Sequence, residues 1–538
     1  MSPSQGSHGF FPAPWRARAW AHAAAPFDVI VVGGGITGAG IARDATLRGL
    51  RVGLFEQADF GSGTSSRSSR LVHGGVRYLE HGHLHLVLES SRERRTLLHI
   101  APHLVRPLAF TWPVYAGARV PLWKLRLGLT LYDVLALYRN VGRSRRLAPD
   151  AVRRGEPNLL PERLVGGARY YDAATDDARL VLANVVAAHE QGAIALNYAA
   201  VTRVYGRDKS SALCTVEVRD VVTGNVHRLA TRAVVFALGP WSDEVPALIG
   251  QTVPKAQVVG SVGAHVALSR ERVGNVGAVT LIAPADGRVF FVVPADDLTI
   301  ATTTEAAARA RPDEARATRA DVQYLLSAVN HYFPATRATP DDVVAAWAGV
   351  RPLAAPNVKD LTSASREHEI AEAAPGVYVV TGGKLTTFRA MAEQVVDLLA
   401  RSLLPRFRRA VTSFVPLPGG ELTDVRAAIA HACEAVRDQA VAERLVHAYG
   451  TRWPLVWNER SGLAEVFYAI EREFAVTLAD VLVRRVPMAL ERSDHALSEA
   501  TRLATALAPR FGWDARAVDD ALRGYQAAIA RQFSIDEA

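Results

Sequence analysis

Cysteine is nearly absent from this sequence. Its 538 residues include only Cys214 and Cys433. Two cysteines cannot form a disulfide framework, and they cannot ligate an iron–sulfur cluster or a multi-cysteine zinc site. Because chains with so few cysteines are typical of reducing compartments, we expect a reduced, intracellular protein.

Long hydrophobic runs are also missing. A membrane-spanning helix needs about 20 consecutive uncharged apolar residues, and the longest candidate, Gly128 to Tyr138, is short and is interrupted by Asp133. Residues 1–26 contain no continuous apolar segment of the kind that a secretory signal requires. We therefore exclude an integral membrane protein, and we expect residues 1–26 to be a flexible extension.

Acidic residues are fewer than basic residues. The chain has 62 Lys and Arg against 54 Asp and Glu, a formal net charge of +8, while 49% hydrophobic residues provide ample material for a core. The positive charge favours an anionic partner, which is a phosphorylated substrate, an acidic membrane surface or nucleic acid. Nucleic acid is disfavoured because the basic residues are scattered and no nucleic-acid-reading motif is present.

A glycine motif near the N-terminus follows the order strand, tight turn, helix, strand. The apolar strand 27–32 leads into Gly33-x-Gly35-x-x-Gly38, and the second strand ends on Glu56. In a dinucleotide site the first glycine forms the turn, the second lets a pyrophosphate approach the backbone, and the third lets the helix pack on the strand. The Glu56 carboxylate would accept hydrogen bonds from a ribose and repel a 2′-phosphate, which disfavours NADP. The alternative is a glycine-rich turn in another kind of α/β protein.

The remaining pattern divides the chain into a mixed part and a helical part. Apolar or alternating runs predict strands at 213–218, 233–237, 289–293 and 377–380. From about residue 411 the strand pattern stops, and Ala-rich helical patterns continue to the end. The Pro- and Gly-rich segment Val415–Gly420 reads as a linker, so we predict a domain boundary there.

A second motif, Gly61 to Ser69, is dense in glycine and hydroxyl side chains, and His73-Gly-Gly-x-Arg77-Tyr78 follows it. Such a segment offers backbone amides and hydroxyls to a second part of an extended cofactor. The alternative is a flexible serine-rich loop. The hydroxyl residues that we single out are Thr64, Ser65, Ser66, Ser68 and Ser69.

With these motifs the sequence resembles the FAD-dependent, aerobic-type glycerol-3-phosphate dehydrogenases, within the flavoproteins that include the amino-acid oxidases. Further segments that carry the resemblance are Tyr171-Asp172, Thr175–Leu180, Gly349–Leu353, Gly382–Arg389 and Arg472–Ala475. The resemblance covers roughly residues 27–535. It implies FAD as the cofactor and an α/β (α+β) fold: a Rossmann-like FAD-binding domain interleaved with an antiparallel-sheet substrate domain, plus a C-terminal all-helical domain.

The sequence pattern and the resemblance together give the domain bounds. The extension is 1–26, the oxidoreductase domain is 27–410, and the helical domain is 411–538. Within the oxidoreductase domain, the FAD-binding segments are about 27–90, 175–250 and 349–402, and the substrate segments are about 91–174 and 251–348.

The resemblance assigns further residues to the cofactor. A helix that begins near Thr386 would direct its N-terminus at the flavin's pyrimidine edge and stabilise negative charge there. Read from the residues alone, Lys384 is better explained as a solvated loop residue. The implied cofactor-binding residues of this region are Gly239, Gly382, Gly383, Lys384, Leu385, Thr386 and Thr387.

For the substrate, the resemblance implies an arginine set and a base. Arg77, Arg351 and Arg366, with Tyr78 alongside, would bind a phosphorylated three-carbon substrate, because guanidinium groups suit phosphate oxygens. His265 would take the hydroxyl proton, and Lys384 would polarise the reacting centre. From the residues alone, His265 is also consistent with a histidine packed in a strand.

Three positions depart from the family pattern. Val262 stands where many relatives have lysine, Thr304 where aspartate is usual, and Leu238 where threonine is usual. The chain is therefore a divergent member of the family that it resembles.

The histidine triplet His81-x-His83-x-His85 is a candidate metal site. On a helix only His81 and His85 share a face, and no nearby carboxylate or cysteine completes a ligand set. We predict that this protein binds no metal ion.

Residues Val120 to Tyr138 form an amphipathic helical pattern that includes Trp123, Leu127 and Lys124. This pattern fits a helix at a membrane surface and equally fits an ordinary helix packed on a core. The resemblance favours the membrane surface, and with it a cytoplasmic protein attached peripherally to the inner face of the cytoplasmic membrane. A homodimer is left open.

The resemblance implies oxidation of sn-glycerol 3-phosphate to dihydroxyacetone phosphate, with hydride transfer to flavin N5 and electrons passed to a quinone. One alternative is an FAD-dependent oxidase or dehydrogenase of an amino acid or another hydroxy acid. Another is a flavin-binding partner or sensor protein without turnover.

Overall fold

The computed structural model describes residues 10–79, 82–207, 212–251, 253, 258–308, 311–353, 368–457 and 463–537. Two residues singled out above, Arg366 and His81, lie outside the described residues. The side chains of Arg77 and Tyr78 also lie outside them, although the backbone of both forms part of the short 3₁₀ helix Val76–Leu79.

The strands belong to two large β-sheets. In chain order they are β1 (Phe27–Val32), β2 (Val52–Phe55), β3 (Leu71–Val72), β4 (Val105–Tyr115), β5 (Arg145–Leu147), β6 (Leu164–Thr175), β7 (Ile194–Leu196), β8 (Ala199–Tyr205), β9 (Cys214–Asp220), β10 (Val226–Phe236), β11 (Val259–Ser269), β12 (Ala278–Ile282), β13 (Val289–Ala295), β14 (Leu298–Thr302), β15 (Ala306–Ala307), β16 (Val343–Leu353), β17 (His368–Ala374) and β18 (Val377–Gly382).

The α-helices lie outside the sheets and make up the C-terminal part. In chain order they are α1 (Pro14–Ala23), α2 (Ile36–Leu47), α3 (Leu84–Ile100), α4 (Leu122–Leu135), α5 (Pro149–Gly155), α6 (Asp177–Glu190), α7 (Val245–Ile249), α8 (Arg270–Val273), α9 (Arg319–Tyr332), α10 (Phe388–Leu403), α11 (Val425–Val436), α12 (Gln439–Tyr449), α13 (Trp453–Val456), α14 (Ala464–Arg472), α15 (Met488–Glu491), α16 (Leu497–Phe511) and α17 (Ala515–Phe533).

The first sheet carries the glycine motif. Its central strands lie in the order β18-β10-β1-β2-β7 and are parallel, with β17 antiparallel at one edge. Strands β1 and β2 are wholly or almost wholly buried, and α2, α6 and α10 pack together over the same apolar core. This arrangement is typical of a dinucleotide-binding sheet, in which strands covered on both faces are continuously apolar.

The second sheet is largely antiparallel and lies in the order β15-β11-β14-β13-β12-β4-β6-β3. Strand β16 pairs with β11 along most of its length, so that His265 faces Trp347 and Ser261 faces Arg351. Helix α9 packs on one side of this sheet through the core that includes Val266. The two sheets confirm the predicted interleaved α/β fold, because segments of each alternate along the chain.

The predicted strands are present with small shifts in their bounds. The 213–218 run is β9, and the 233–237 run ends β10. The 289–293 and 377–380 runs lie within β13 and β18. After residue 403 the described residues form helices and short turns, as the change of pattern near 411 predicts.

The prediction of a flexible N-terminal extension is wrong for residues 10–26. Arg16 in α1 is buried, and its guanidinium bonds Asp220 at 2.7 Å and the carbonyl of Asn197 at 2.7 Å. Phe11 is buried in the C-terminal core, where its ring stacks on Trp513 with centroids 5.7 Å apart. Aromatic burial and a buried ion pair tie this segment to two parts of the molecule, which local composition does not reveal.

Buried polar contacts join the C-terminal helices to the first sheet. The carboxylate of Asp59, which follows β2, pairs with both Arg484 and Arg485. Arg179 of α6 pairs with Glu473 at 2.8 Å. Within the described ranges, every helix is too short or too polar to cross a bilayer.

Candidate active site

A large cavity of about 810 Å³ lies between the two sheets and extends to the C-terminal helices. Among the residues predicted from the sequence, Gly38, Ser66 and Thr387 do not line it. Those that do line it are Gly33, Gly35, Glu56, Thr64, Ser65, Ser68, Ser69, Gly239, His265, Arg351, Gly382, Gly383, Lys384, Leu385 and Thr386.

The glycine turn brings the N-terminus of α2 to the cavity. Gly33 has φ +106°, and a Cβ there would lie 2.6 Å from the carbonyl oxygen of Ala237. A Cβ on Gly38 would collide with the carbonyl oxygen of Gly33, so only glycine lets α2 approach the turn this closely. Gly38 therefore acts in packing, which explains why it does not line the cavity.

The first turn of α2 has donors that are open to an anion. Gly35 is its N-cap and provides no side-chain cap, while Ser65 Oγ accepts a hydrogen bond of 3.0 Å from the Ile36 N–H. Unpaired N–H groups and the helix dipole favour a phosphate at this position. Ser65 thus joins the serine-rich loop to the glycine turn.

Glu56 has a second role that the sequence does not reveal. Its half-buried carboxylate accepts hydrogen bonds from the backbone N–H groups of Gly34 at 2.6 Å and Ala58 at 2.9 Å. Burial raises the pKa of this carboxyl, and the backbone hydrogen bonds oppose that rise. A carboxylate has about four acceptor positions, so Glu56 can brace the glycine turn and still accept from ribose hydroxyls.

The serine-rich loop is anchored rather than flexible. Thr64 Oγ1 donates to the carbonyl of Val350 at 2.6 Å, and Ser68 donates from N–H and Oγ to Asp177 Oδ2 at 3.1 and 2.6 Å. Burial raises the pKa of Asp177 to about 6 against the opposing charge of Arg70. The sequence motif contains Asp177, but only the fold shows that it anchors this loop.

The second sheet places His265 in the cavity wall. The imidazole is buried and stacks on Trp347 with ring centroids 5.3 Å apart, and its Nδ1 has no hydrogen-bond partner among the described residues. Burial, followed by the charge of Arg351, lowers the pKa of His265 to about 3. The ring is therefore neutral near pH 7 and can accept a proton.

Arg351 is oriented by a threonine. Its Nη2 donates to Thr303 Oγ1 at 2.8 Å. A Cβ on Gly263 would lie 2.7 Å from the same Oγ1 and would collide with Arg351 Nη2, so a side chain at position 263 would displace this pair. Sequence reasoning missed both Gly263 and Thr303, because neither has a local signal that connects it to Arg351.

The loop after β18 completes the cavity. Gly382 and Gly383 have φ of 73° and 92°, and a Cβ on Gly383 would collide with Met391. The 3₁₀ helix Leu385–Thr387 follows Lys384, and α10 begins at Phe388, two residues later than predicted. Thr387 is buried as the N-cap of α10, which explains its absence from the cavity lining.

Thr386 ties this loop to the segment after β3. Its Oγ1 accepts from the His73 N–H at 3.2 Å and lies 3.3 Å from the His73 carbonyl oxygen, to which it donates. The segment after β3 and the loop after β18, which are distant in sequence, therefore form one wall of the cavity.

These features fit an extended dinucleotide. The glycine turn and α2 form a cradle without Cβ atoms for a diphosphate, Glu56 suits a ribose, and the Gly382-Gly383 loop gives close backbone approach at the other end. The described residues contain no group of three or more His, Cys, Asp and Glu that could hold a metal ion.

The comparisons with known proteins agree with this geometry. The family model of the FAD dependent oxidoreductases matches residues 28–398, and that of the C-terminal domain of alpha-glycerophosphate oxidase matches residues 410–518. An aerobic glycerol-3-phosphate dehydrogenase of Staphylococcus haemolyticus is 34% identical over 483 residues, which are 85% of this chain and 86% of that protein. Glycerol-3-phosphate dehydrogenase 2 of Mycobacterium tuberculosis is 34% identical over 539 residues, which are 96% of this chain and 90% of that protein.

The chain belongs to the family of FAD-dependent glycerol-3-phosphate dehydrogenases. A solved structure of the glycerol-3-phosphate dehydrogenase from Bacillus halodurans complexed with FAD is 28% identical, with a TM-score of 0.79 over 96% of this chain and 97% of that one. Glycine oxidase from Geobacillus kaustophilus, at 20% identity and a TM-score of 0.55 over 73% of this chain and 98% of that one, shares the fold.

The three departures from the pattern of the glycerol-3-phosphate dehydrogenases have distinct environments. Thr304 Oγ1 accepts a hydrogen bond of 3.0 Å from the N–H of Ala264, so it keeps a link to β11 but brings no charge there. Val262 is half-buried against the core of the second sheet. Leu238 lines the cavity beside Gly33.

Proposed function

We propose that this FAD-dependent enzyme oxidises sn-glycerol 3-phosphate to dihydroxyacetone phosphate and passes the electrons to a quinone at a membrane surface. The observation that carries the proposal is the pairing of a neutral, buried His265 with the oriented guanidinium of Arg351 in one cavity. The names of the relatives, which cover most of this chain, support the same substrate.

His265 acts as the base. Oxidation of a secondary alcohol removes the hydroxyl proton and, from the same carbon, a hydride. The low pKa of His265 keeps the imidazole unprotonated before substrate binds. The ring accepts the proton once the anionic substrate offsets the charge of Arg351 and raises that pKa. When bound, FAD supplies the acceptor for the hydride.

Arg351 binds the anionic end of the substrate. A guanidinium offers donors in a planar fork that matches phosphate oxygens. Thr303 accepts a hydrogen bond from one of its nitrogens at 2.8 Å, and Arg351 lines the cavity in which the substrate would bind. We expect Arg77, Arg366 and Tyr78 to add to this site, as the sequence motifs indicate.

Lys384 and the helix that follows it contribute positive potential. Lys384 lines the cavity, and α10 directs its N-terminal end towards the same wall. A cation and a helix N-terminus stabilise negative charge that develops nearby. The two therefore favour electron acceptance at this end of the cavity.

Helix α4 forms the surface that we assign to the membrane. On one face it exposes Trp123 and Leu127, at 70% and 66% of their full accessible area. The next exposed apolar side chains along this surface are Leu131, Val134, Leu137 and Tyr138. Lys124 and Arg126 lie on the same exposed helix. Aromatic and apolar side chains flanked by cations are typical of helices at anionic lipid surfaces, where a quinone is reachable.

The test of the proposed reaction is a reduction experiment without oxygen. The purified holoenzyme is mixed anaerobically with glycerol 3-phosphate while the visible absorbance of the flavin is followed. We expect rapid bleaching with glycerol 3-phosphate and none with glycerol at the same concentration. If the yellow colour persists with glycerol 3-phosphate, the substrate assignment is wrong.

The acceptor is tested by reoxidation. After bleaching, the protein is mixed with a water-soluble quinone or with oxygen, and hydrogen peroxide is assayed. We expect reoxidation by the quinone to be much faster than by oxygen. Fast peroxide formation would instead identify an oxidase.

A further inference from the structure

Arg67 of the serine-rich loop is a buried cation without a counterion. Its side chain lines the cavity, and the residue keeps 9% of its accessible area. Nη1 donates to the carbonyl of Ala315 over a long 3.4 Å, while Nε is buried without a hydrogen-bond partner among the described residues. No described carboxylate lies within ion-pair distance of it.

The charged side chains that act on Arg67 are mostly cations. The charges of Arg484, Arg531 and Arg316 disfavour the charge on Arg67, whereas that of Asp313 favours it. Arg484 is satisfied by Asp59 and Asp480, whereas Arg531, in the last turn of α17, is exposed and lines the same cavity. Burial, followed by these cations, lowers the pKa of the Arg67 guanidinium to about 10.

A buried, unpaired guanidinium is costly, so such groups are normally paired with an anion. Arg67 lines the cavity, so an anion in the cavity can reach it. Arg67 directly follows the 3₁₀ helix Thr64–Ser66, and Ser65 of that helix bonds the first N–H of α2. Arg67 is therefore two residues from Ser65, whose hydroxyl contacts the turn that is shaped for a diphosphate.

We propose that Arg67 and Arg531 form a phosphate-binding subsite in the cavity, with Arg67 as the buried anchor and Arg531 of the C-terminal domain as the exposed arm. The phosphate belongs either to the diphosphate of the bound dinucleotide or to a free phosphorylated molecule. The subsite rests on the proposed function only because that function names these two ligands. In either case the C-terminal domain contributes a side chain that binds the ligand. The attachment of this domain to the first sheet therefore helps to retain the ligand.

The test compares Arg67→Gln and Arg531→Gln with a matched control, Arg311→Gln. Arg311 lines the same cavity but is paired with Glu244 at 3.5 Å and Asp313 at 3.4 Å. Two quantities are measured on each holoenzyme: the dissociation constant of FAD, from the fluorescence of released flavin at increasing salt, and the KM for glycerol 3-phosphate.

If the dinucleotide is the source, Arg67→Gln weakens FAD binding by about 10- to 100-fold, as expected for a lost hydrogen bond to a charged group, and leaves KM nearly unchanged. If the source is a free phosphorylated molecule, FAD is retained and KM rises by a similar factor. Arg531→Gln produces a smaller change in the same quantity. Because Arg531 is exposed, this variant folds and can be measured even where Arg67→Gln does not fold.

The proposal is overturned if both variants match Arg311→Gln in FAD dissociation and in KM. FAD release is measured without turnover, so the part of the test that concerns the dinucleotide stands even where glycerol 3-phosphate proves not to be the substrate. Persisting yellow colour with substrate contradicts the proposed function alone, whereas unchanged FAD release and KM contradict the subsite alone.

Discussion

At the scale of single residues, the cavity wall places the base His265 near the cation Arg351. His265 is kept neutral by burial and by the charge of Arg351. A bound phosphate would screen the arginine from the imidazole, so proton acceptance becomes easier once the substrate is present. The charge of Arg351, which binds the anion, thus influences how readily His265 accepts a proton.

Replacing His265 by Gln removes the base but leaves a side chain that fits the strand. We expect kcat to fall by about 10²- to 10⁴-fold, because general base catalysis has this magnitude, while the FAD content stays unchanged. Anaerobic flavin reduction measures the rate. The control is His189→Gln, whose ring lies 3.1 Å from the carbonyl oxygen of Ala193 outside the cavity lining. Equal losses in both variants would contradict the role of His265.

The buried histidines also make stability depend on pH. Histidine in an unfolded chain titrates near a pKa of about 6.5, but His265 and His103 each have a pKa of about 3 in the folded protein. Between these values the unfolded chain binds more protons, so the free energy of unfolding falls as pH decreases from about 6.5 towards 3. Urea unfolding at several pH values measures this slope. We expect His103→Gln to reduce it, and an unchanged slope would contradict the assignment.

Thr303 is a positioning residue for Arg351. Thr303→Val keeps the shape but removes the hydroxyl that accepts from Nη2. We expect KM for glycerol 3-phosphate to rise about fivefold, as for one lost hydrogen bond, with a smaller change in kcat. Thr303→Ser restores the hydroxyl and should restore KM. A KM that is raised equally by Ser and Val would indicate a packing role instead.

At the scale of elements, α4 is the helix whose sequence pattern allows two environments. Its buried side, with Leu125, Leu129 and Tyr132, packs on the core next to the second sheet. Its other side exposes Trp123 and Leu127. One face of the helix packs on the core, as in an ordinary amphipathic helix, and the other face exposes apolar side chains. The structure of α4 is therefore compatible with both a core-packing helix and a membrane-surface helix.

Leu127→Glu tests the membrane assignment of α4. A charge on the exposed apolar face opposes insertion into an anionic lipid surface. We expect weaker sedimentation with anionic vesicles and slower turnover with a lipid-dissolved quinone, but unchanged turnover with a water-soluble dye. The control is Leu455→Glu, since Leu455 is 67% exposed on the C-terminal helix α13. Equal vesicle binding by the two variants would place the membrane surface elsewhere.

At the scale of the whole molecule, the C-terminal domain is held to the first sheet by buried charges. Burial opposes ionisation of Asp59, but the charges of Arg485 and Arg484 outweigh it and lower the pKa of this carboxyl to about 2. The N-terminal segment adds a second tie, because Phe11 packs in the C-terminal core while Arg16 binds Asp220. The subsite proposed at Arg67 and Arg531 lies at the same junction.

Asp59→Asn tests this junction. The substitution removes the carboxylate that pairs with buried Arg485 and one of the two carboxylates that pair with Arg484. Breaking a buried ion pair in this way typically costs about 3–5 kcal/mol of stability. We expect a lower urea midpoint and easier loss of FAD, measured by unfolding curves and released-flavin fluorescence. The control is Glu499→Gln, which breaks the surface pair with Arg502 and should cost less than about 1 kcal/mol. Similar costs for both would show that the junction adds little.

The sequence by itself determined the elements whose causes are local. The glycines of the turn, the strand before them and the acid at Glu56 follow from backbone geometry over a few residues, and the loss of strand pattern near 411 marks the helical domain. The resemblance to a known family added FAD, because it joins motifs spread over most of the chain.

Only the tertiary structure decided which distant residues meet. The Arg351–Thr303 pair occupies the space left by Gly263, and Asp177 anchors Ser68 across more than a hundred residues of sequence. The burial of Arg16 and Phe11 likewise depends on surfaces formed by other parts of the chain. Local patterns specify helices, strands and turns, but the register of strands and the packing of domains depend on contacts that no short segment encodes.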